Sequence, residues 1–293
     1  MKRMISILLV LLLLLGGCTA APEQAQIAAT TLPVYEFTAR ICDGTGISIS
    51  RLVTESVSCL HDYSLNVSQV RSAEAAELIV ISGAGLEEFM EDILHGKAII
   101  DSSVGIQLTE CEDEHGHEEH GRDDHHHHDV DNHIWLSPEN AKLMVQNICA
   151  GLSAQYPDRT ARFEENLKIL LADLDALQAY GEAELSALSY RELITFHDGF
   201  SYLAGSFGLI ILEAVEEESG SEASAAELKH LIQLTRDHGL PAIFTETNGS
   251  DSAASVISRE TGAKIFQLDM AMAGDSWFEA MYHNIDTIKE ALG

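Results

Sequence analysis

The sequence predicts an α/β protein with two similar lobes, each containing a parallel sheet, joined by one long helix. Short β-rich runs alternate with helical stretches between residues 27 and 152, and the alternation resumes between residues 190 and 293. Strand, helix and strand at this spacing are typical of a parallel sheet covered by helices. Between these regions, residues 157–189 carry apolar side chains every three or four positions, which indicates a single helix.

The N-terminus, residues 1–17, has the pattern of a secretory signal peptide. Lys2 and Arg3 precede an apolar run over residues 5–15 that is too short to span a bilayer. The small residues before Cys18 resemble a bacterial lipobox, which implies cleavage before Cys18 and attachment of lipid to its thiol. Residues 18–26 would then form a tether. A plain signal peptide followed by an unmodified cysteine is the alternative.

In the first lobe, residues 27–152, short β-rich runs indicate strands and longer periodic stretches indicate helices. The predicted strands cover residues 27–31, 47–53, 77–82 and 98–101, and the predicted helices cover residues 35–41 and 86–94. A further helix is expected after His133.

The long helix, residues 157–189, is predicted from one apolar face. It is entered after Pro157 and Asp158. The residues of that face are Phe163, Leu167, Leu170, Leu174 and Leu177. The repeat is short for a coiled-coil dimer, so the helix is interpreted as a rod that braces two lobes of a monomer.

The second lobe, residues 190–293, shows the same alternation. Its predicted strands cover residues 193–196, 209–215, 242–245 and 264–268, and its predicted helices cover residues 200–206, 225–238, 252–260 and 277–292.

The charge of the chain limits its partners. The formal net charge is −30, from 17 Lys and Arg against 47 Asp and Glu. Nucleic acid binding needs basic residues on one face, so nucleic acid is excluded as a partner. The negative field also repels anionic lipid headgroups and concentrates cations near the surface.

A histidine-rich loop, residues 112–130, lies near the end of the first lobe. Eight of the fourteen histidines fall between residues 111 and 138. Neutral imidazole is the commonest protein ligand for metals, and the acids around it favour a divalent cation. The stretch therefore indicates metal handling. A solvated low-complexity loop with no binding role is the alternative.

Four residues that could bind a metal follow strands or precede a helix, two in each lobe. They are His61, His133, His197 and Asp269. Ligands of open α/β sheets gather beyond the carboxyl ends of the strands. Four such side chains would therefore converge on a cleft between the lobes.

Several motifs, taken in order, resemble the zinc and manganese receptors of ABC importers. They are the lipobox, the residues 60–63 (LHDY), 131–138 (DNHIWLSP), 196–200 (FHDGF) and 268–270 (LDM). The resemblance covers essentially the whole mature chain, and a histidine-rich insertion before the second ligand is typical of the zinc branch. The family often has proline directly before the first two histidines, where this chain has Leu60 and Asn132.

The resemblance implies an extracytoplasmic, lipid-anchored receptor that captures Zn²⁺ and delivers it to a permease driven by an ATPase. It makes His61, His133, His197 and Asp269 the metal ligands, with Glu246 or water as substitutes for Asp269. Three imidazoles and one carboxylate suit Zn²⁺, whereas Mn²⁺ prefers more oxygen ligands. A manganese or iron receptor of the same build is the alternative.

The other histidines of the loop would be accessory residues that collect zinc weakly or sense excess metal. They are His115, His117, His120, His125, His126, His127 and His128. Disorder without a role is the alternative reading of this segment.

An enzyme is not expected. A secreted zinc hydrolase would need an open coordination position and a nearby general base. The sequence contains no His-Glu-x-x-His motif, no nucleophile elbow and no glycine-rich phosphate loop.

Four cysteines remain after Cys18, an even number in an exported protein. Two disulfides in three connectivities are compatible with that count. The predicted pairs are Cys59 with Cys111 and Cys42 with Cys149; buried free thiols and thiolate metal ligands are the alternatives.

Overall fold

The computed structural model describes residues 25–55, 60, 63–109, 130–215 and 223–293. Within these residues the chain forms two α/β lobes, each with a four-stranded parallel sheet, and one long helix packs against helices of both lobes. The predicted fold class is confirmed.

The first lobe contains four short strands and its helices pack against them. Its elements are β1 (Ile27–Ala29), α1 (Leu32–Ile41), β2 (Ile49–Arg51), α2 (Val67–Ala75), β3 (Leu78–Ile81), α3 (Glu91–Leu94), β4 (Ala98–Asp101) and α4 (Pro138–Gln155), with 3-10 turns at Leu86–Met90 and Ile134–Leu136. The long helix α5 (Thr160–Glu184) follows after a 3-10 turn at Pro157–Arg159.

The second lobe repeats this architecture. Its elements are β5 (Glu192–Thr195), α6 (Ser201–Ser206), β6 (Ile210–Ala214), α7 (Ala225–His238), β7 (Ala242–Glu246), α8 (Ser252–Thr261), β8 (Lys264–Leu268) and α9 (Trp277–Leu292). Each boundary lies within one residue of the range predicted from the sequence.

Both sheets have the same topology. The strand order is β2-β1-β3-β4 in the first lobe and β6-β5-β7-β8 in the second, and every pair is parallel. In each sheet the chain first adds a strand on one side and then crosses back to the other side. This reversal creates a crevice beyond the carboxyl ends of the two central strands, where ligands of such sheets bind. The crevices lie at β1 and β3 in one lobe and at β5 and β7 in the other.

One helix of the first lobe, α2, was not predicted from the sequence. It has few apolar residues, and only Gln69 and Ala73 are buried. Its start is specified by a capping box, in which the Asn66 side chain accepts hydrogen bonds from the backbone N–H groups of Ser68 and Gln69, and the Gln69 side-chain oxygen accepts one from the Asn66 backbone N–H. The capping residues Asn66 and Gln69 are the sequence signal that could have indicated this helix, because its apolar residues do not recur with a clear helical period.

The long helix packs on both lobes through one face. Four of the five predicted apolar residues are buried and the fifth, Leu167, is half-buried. The buried residues of the helix are Phe163, Asn166, Leu170, Leu174, Leu177 and Gly181. The helix ends at Glu184, five residues before the predicted limit of 189. Arg191 donates hydrogen bonds to the carbonyl oxygens of Leu185 and Ser186, so it satisfies acceptors that a longer helix would have used.

Two buried tryptophans tie the lobes together beneath the cleft. Trp135 donates from its indole nitrogen to the carbonyl oxygen of Met270, 2.7 Å away, and Trp277 donates to the carbonyl oxygen of Trp135, 3.1 Å away. Phe37 of α1 packs edge-on against Trp277 with ring centroids 5.0 Å apart. Indole N–H groups that are buried need such acceptors, so these contacts specify how the lobes fit.

A buried carboxyl group, Glu87, fills the crevice of the first sheet. It accepts hydrogen bonds from the Thr30 hydroxyl at 2.6 Å, from the Ser82 backbone at 2.7 Å and from the Gly83 backbone at 3.0 Å. These donors follow β1 and β3, the two central strands. In the first lobe this crevice is thus closed by the protein itself.

Cys42 and Cys149 are buried free thiols in the structure, so the predicted disulfide between them is not formed there. Both lie in one core cluster, where a thiol packs as a small apolar group. Burial raises the pKa of Cys42 to about 12, and Cys149 adds to this effect. Cys59 and Cys111 lie outside the described residues, so their pairing stays a prediction.

None of the helices in the described part of the chain is long and apolar enough to cross a membrane.

Gly181 provides a test of the packing between α5 and the second lobe. A Cβ at this position would lie 2.2 Å from the Phe207 ring. We expect Gly181→Ala to lower the free energy of unfolding by about 1–3 kcal/mol, because the ring or the helix must shift. Gly205→Ala is the control, since a Cβ there meets nothing within 4 Å. Equal urea stability of the two variants would contradict the packing.

Glu87 predicts a specific dependence of stability on pH. Burial is the main cause that raises the pKa of Glu87 from 4.5 to about 7, against three hydrogen bonds that lower it. The pKa of Glu87 is higher in the folded protein than in the unfolded chain. Its contribution to the free energy of unfolding is therefore complete below the unfolded pKa and is lost as the pH rises through the folded pKa. The unfolding free energy of wild type minus that of Glu87→Gln should therefore fall by about 3 kcal/mol across this range. A difference that does not change with pH would contradict the burial of an ionisable group here.

Candidate metal centre

His133 is held rigidly at the cleft edge of the first lobe. Its side chain is buried, and Asp131 Oδ1 lies 2.9 Å from His133 Nδ1. The same oxygen accepts the backbone N–H of His133, also at 2.9 Å. The Asp131 backbone N–H in turn donates to the carbonyl oxygen of Thr109. The ring therefore presents its other nitrogen, Nε2, in a fixed direction.

His197 reaches the cleft from the second lobe, two residues after β5. The Thr195 hydroxyl donates to the carbonyl oxygen of His197 at 3.1 Å, and the Phe196 N–H donates to Phe244 in β7. His197 Nδ1 lies 3.8 Å from Oε2 of Glu246, the last residue of β7. These residues flank the crevice between β5 and β7, where the parallel sheet places a ligand site.

The two imidazoles meet between the lobes. His133 Nε2 and His197 Nε2 are 3.3 Å apart, and the ring planes are almost perpendicular, at 89°. Two nitrogens bound to one tetrahedral Zn²⁺ at bond lengths of about 2.0–2.1 Å are separated by about 3.3–3.4 Å. The spacing of the two nitrogens is thus that of two ligands sharing one tetrahedral metal ion.

Gly199 leaves room for this approach. A Cβ at residue 199 would lie 2.7 Å from His197 Cδ2, 2.7 Å from Met270 Cε and 3.0 Å from His133 Cδ2. The first two distances are shorter than real Cβ contacts, and the third is tighter than most of them. The glycine in the motif after His197 is therefore required by the packing of both histidines.

Asp269 directly follows β8, in a tightly bonded turn. Its Oδ1 accepts the Ala271 N–H at 2.7 Å, and its backbone exchanges two hydrogen bonds with the Asn284 amide. Asp269 and Glu246 line the same small cavity. The described residues contain no group of three or more His, Cys, Asp or Glu side chains arranged to hold a metal. Asp269 therefore remains a predicted ligand.

Other predicted site residues lie outside the described residues. These are His61, Cys18, Cys59, Cys111 and the accessory histidines His115, His117, His120, His125, His126, His127 and His128. Of the four predicted ligands, the structure brings His133 and His197 into contact.

Asp131 is a site residue that sequence reasoning missed. It lies in the motif at residues 131–138, and the motif alone predicts no role for it. The signal was its position two residues before His133, since an Asp-x-His spacing allows the carboxylate to reach the imidazole of the same turn. Glu246 was considered only as a substitute ligand.

A family model described as the periplasmic zinc-uptake complex component A, ZnuA, matches residues 27–291. The match covers both lobes and the long helix between them, so it applies to the whole described fold.

Similar proteins carry related names. The chain is 30% identical over 290 residues to the high-affinity zinc uptake system protein ZnuA of Bacillus subtilis, covering 94% of this chain and 90% of that one. It is 30% identical over 285 residues to the zinc-binding lipoprotein AdcA of Streptococcus pneumoniae, covering 92% of this chain but 56% of AdcA. A crystal structure of ZnuA superposes with a TM-score of 0.78 at 28% identity, covering 92% of this chain and 100% of that structure.

The close approach at Gly199 generates a test of the centre. We expect Gly199→Ala to weaken binding of a divalent metal by tenfold or more, because the new methyl group forces His133 and His197 apart. Affinity is measured by competition with a chromophoric chelator. Gly205→Ala, in open space on α6, should bind the metal as the wild type does. Unchanged affinity of Gly199→Ala would show that the metal does not bind between these histidines.

Proposed function

The chain belongs to the family of the periplasmic zinc-uptake complex component A, and from this premise we propose that it captures Zn²⁺ outside the cytoplasmic membrane for an ABC importer. Its relatives include zinc uptake and zinc-binding proteins. Members of this family are solute-binding receptors and not enzymes, so the cargo is bound and released without reaction.

The observation that carries the proposal is the meeting of His133 Nε2 and His197 Nε2 at 3.3 Å. Each histidine has a carboxylate near its Nδ1, which favours a proton there and leaves a lone pair on Nε2. Two lone pairs that face each other repel, and a cation between them removes this repulsion. Residues from two lobes thus form one half of a cation site.

Zinc is the favoured cargo on the chemistry of the donors. Imidazole nitrogens suit Zn²⁺, whereas Mn²⁺ prefers oxygen ligands. With His61 and Asp269 added, the proposed set has three nitrogens and one oxygen and fills a tetrahedral site. A filled site is what capture requires, because a catalytic zinc ion keeps a position open for water.

The partners of the receptor follow from this role. An importer of this type needs a permease in the membrane and an ATPase on its cytoplasmic side, and the receptor delivers the metal to the permease. We propose that lipid attached to Cys18 anchors the protein, as a monomer, to the outer face of the cell membrane. The acidic, histidine-rich loop at residues 112–130 is proposed to collect zinc weakly near the cleft.

Release of the metal requires His133 and His197 to move apart. The segment after β8 is bound to the first lobe by three hydrogen bonds: Trp135 to the Met270 carbonyl, Arg51 to the Gly274 carbonyl and the Trp277 N–H to Glu36. Asp269, which begins this segment, is therefore coupled to the lobe that carries His133. His197 belongs to another part of the second lobe, so a small shift of that part would separate His197 from the remaining ligands.

Competition titration tests the proposed cargo. We expect the wild type to bind Zn²⁺ in preference to Mn²⁺, and His197→Ala to bind Zn²⁺ about 100-fold more weakly, since a ligand of the metal is lost. His238→Ala is the control, because His238 is a surface residue paired with Glu192 at 2.9 Å. It should match the wild type. Preference for Mn²⁺, or unchanged zinc affinity in His197→Ala, would make the zinc assignment wrong.

A further inference from the structure

Two carboxylates stand behind the histidines of the centre, one in each lobe. Asp131 Oδ1 is 2.9 Å from His133 Nδ1, and Glu246 Oε2 is 3.8 Å from His197 Nδ1. In both cases the carboxylate faces the nitrogen that does not point at the other histidine. Each lobe therefore places a carboxylate near Nδ1 of its histidine, although the two carboxylates differ in residue type and in their separation from the histidine along the chain.

We propose that Asp131 and Glu246 are a pair of positioning residues that hold His133 and His197 with the proton on Nδ1 and the lone pair on Nε2. This inference rests on the proposed function of zinc capture. A histidine that binds a metal commonly donates its other N–H to a carboxylate, which fixes the tautomer and makes the ligating nitrogen more basic. Neither carboxylate needs to touch the metal in this role.

The surroundings of Glu246 support positioning instead of ligation. Glu246 is only 6% exposed and ends β7, the strand next to the one that leads to His197. Gly249 covers it so closely that a Cβ there would lie 2.6 Å from Glu246 Cγ. Its carboxylate approaches the Nδ1 side of His197, whereas the Nε2 of His197 approaches His133. A buried carboxylate held on that side of the ring orients the imidazole.

The two carboxylates differ in how tightly they hold their histidines. Asp131 accepts the backbone N–H of His133 as well as facing its ring, so residue and ring move together. The longer gap between Glu246 and His197 leaves His197 more freedom to turn. This difference agrees with His197 being the ligand that separates during release.

Neutral variants of the two carboxylates test the proposal. We expect Asp131→Ala and Glu246→Ala to bind Zn²⁺ about 10- to 100-fold more weakly than the wild type, the range seen when such partners of metal ligands are lost. Asp131→Asn and Glu246→Gln should lose less, because their amide oxygens can still accept a hydrogen bond from Nδ1–H of the histidine ring. Glu192→Gln is the matched control, since Glu192 lies 2.9 Å from Nδ1 of the surface residue His238. It should bind zinc as the wild type does.

Nitrogen-15 NMR of the zinc-loaded protein distinguishes positioning from a general loss of structure. We expect the Nδ1–H signal of His133 to shift in Asp131→Asn and that of His197 to shift in Glu246→Gln, each without the other. Wild-type zinc affinity in Asp131→Ala and Glu246→Ala would overturn the proposal. A change in the number of zinc ligands in Glu246→Gln with the His197 signal unmoved would make Glu246 a ligand and would also overturn it. Failure of the wild type to bind zinc would instead refute the proposed function.

Discussion

The hydrogen bond from the Trp135 indole to the Met270 carbonyl is the contact on which the centre depends. Trp135 lies two residues after His133, and Met270 follows Asp269, so this bond couples the ligand segments of the two lobes. Trp277 then donates to the Trp135 carbonyl from beneath. Because both indole groups are fully buried, the lobes cannot slide past each other without leaving donors unpaired. This alignment holds the segment after β8 against the lobe that carries His133.

The two sheets share one strand order, but the crevice that this order creates has a different role in each lobe. Both sheets reverse their strand order between two central strands and leave a crevice at the carboxyl ends. In the first lobe Glu87 fills the crevice with hydrogen bonds to Thr30 and Ser82, so that lobe is closed at its centre. In the second lobe the crevice holds His197 and Glu246. The first lobe therefore contributes His133 from a segment beside its sheet, and the second contributes His197 from the middle of its own.

The sequence predicts the lobes and the long helix well, because periodic apolar residues and strand ends are local features. His133 and His197 meet in the structure, and their binding of a metal stays a prediction. Helix α2 was missed because its start depends on the capping residues Asn66 and Gln69 and its apolar content is low. The disulfide predicted for Cys42 and Cys149 is not formed in the structure, and an even cysteine count carries no information about pairing. The roles of Asp131 and Glu246 depend on which nitrogen of each ring faces the cleft. That property belongs to the assembled lobes and has no signature in either segment alone.

Zinc is proposed to lie between the two lobes, against His133 Nε2 and His197 Nε2. Anomalous diffraction at the zinc absorption edge, from crystals of the zinc-loaded protein, tests it most directly. The expected result is one strong peak within about 2.0–2.1 Å of both nitrogens, with Asp131 and Glu246 remaining on the Nδ1 side of each ring. A strong peak bound elsewhere, with His133 and His197 free of metal, would contradict the account.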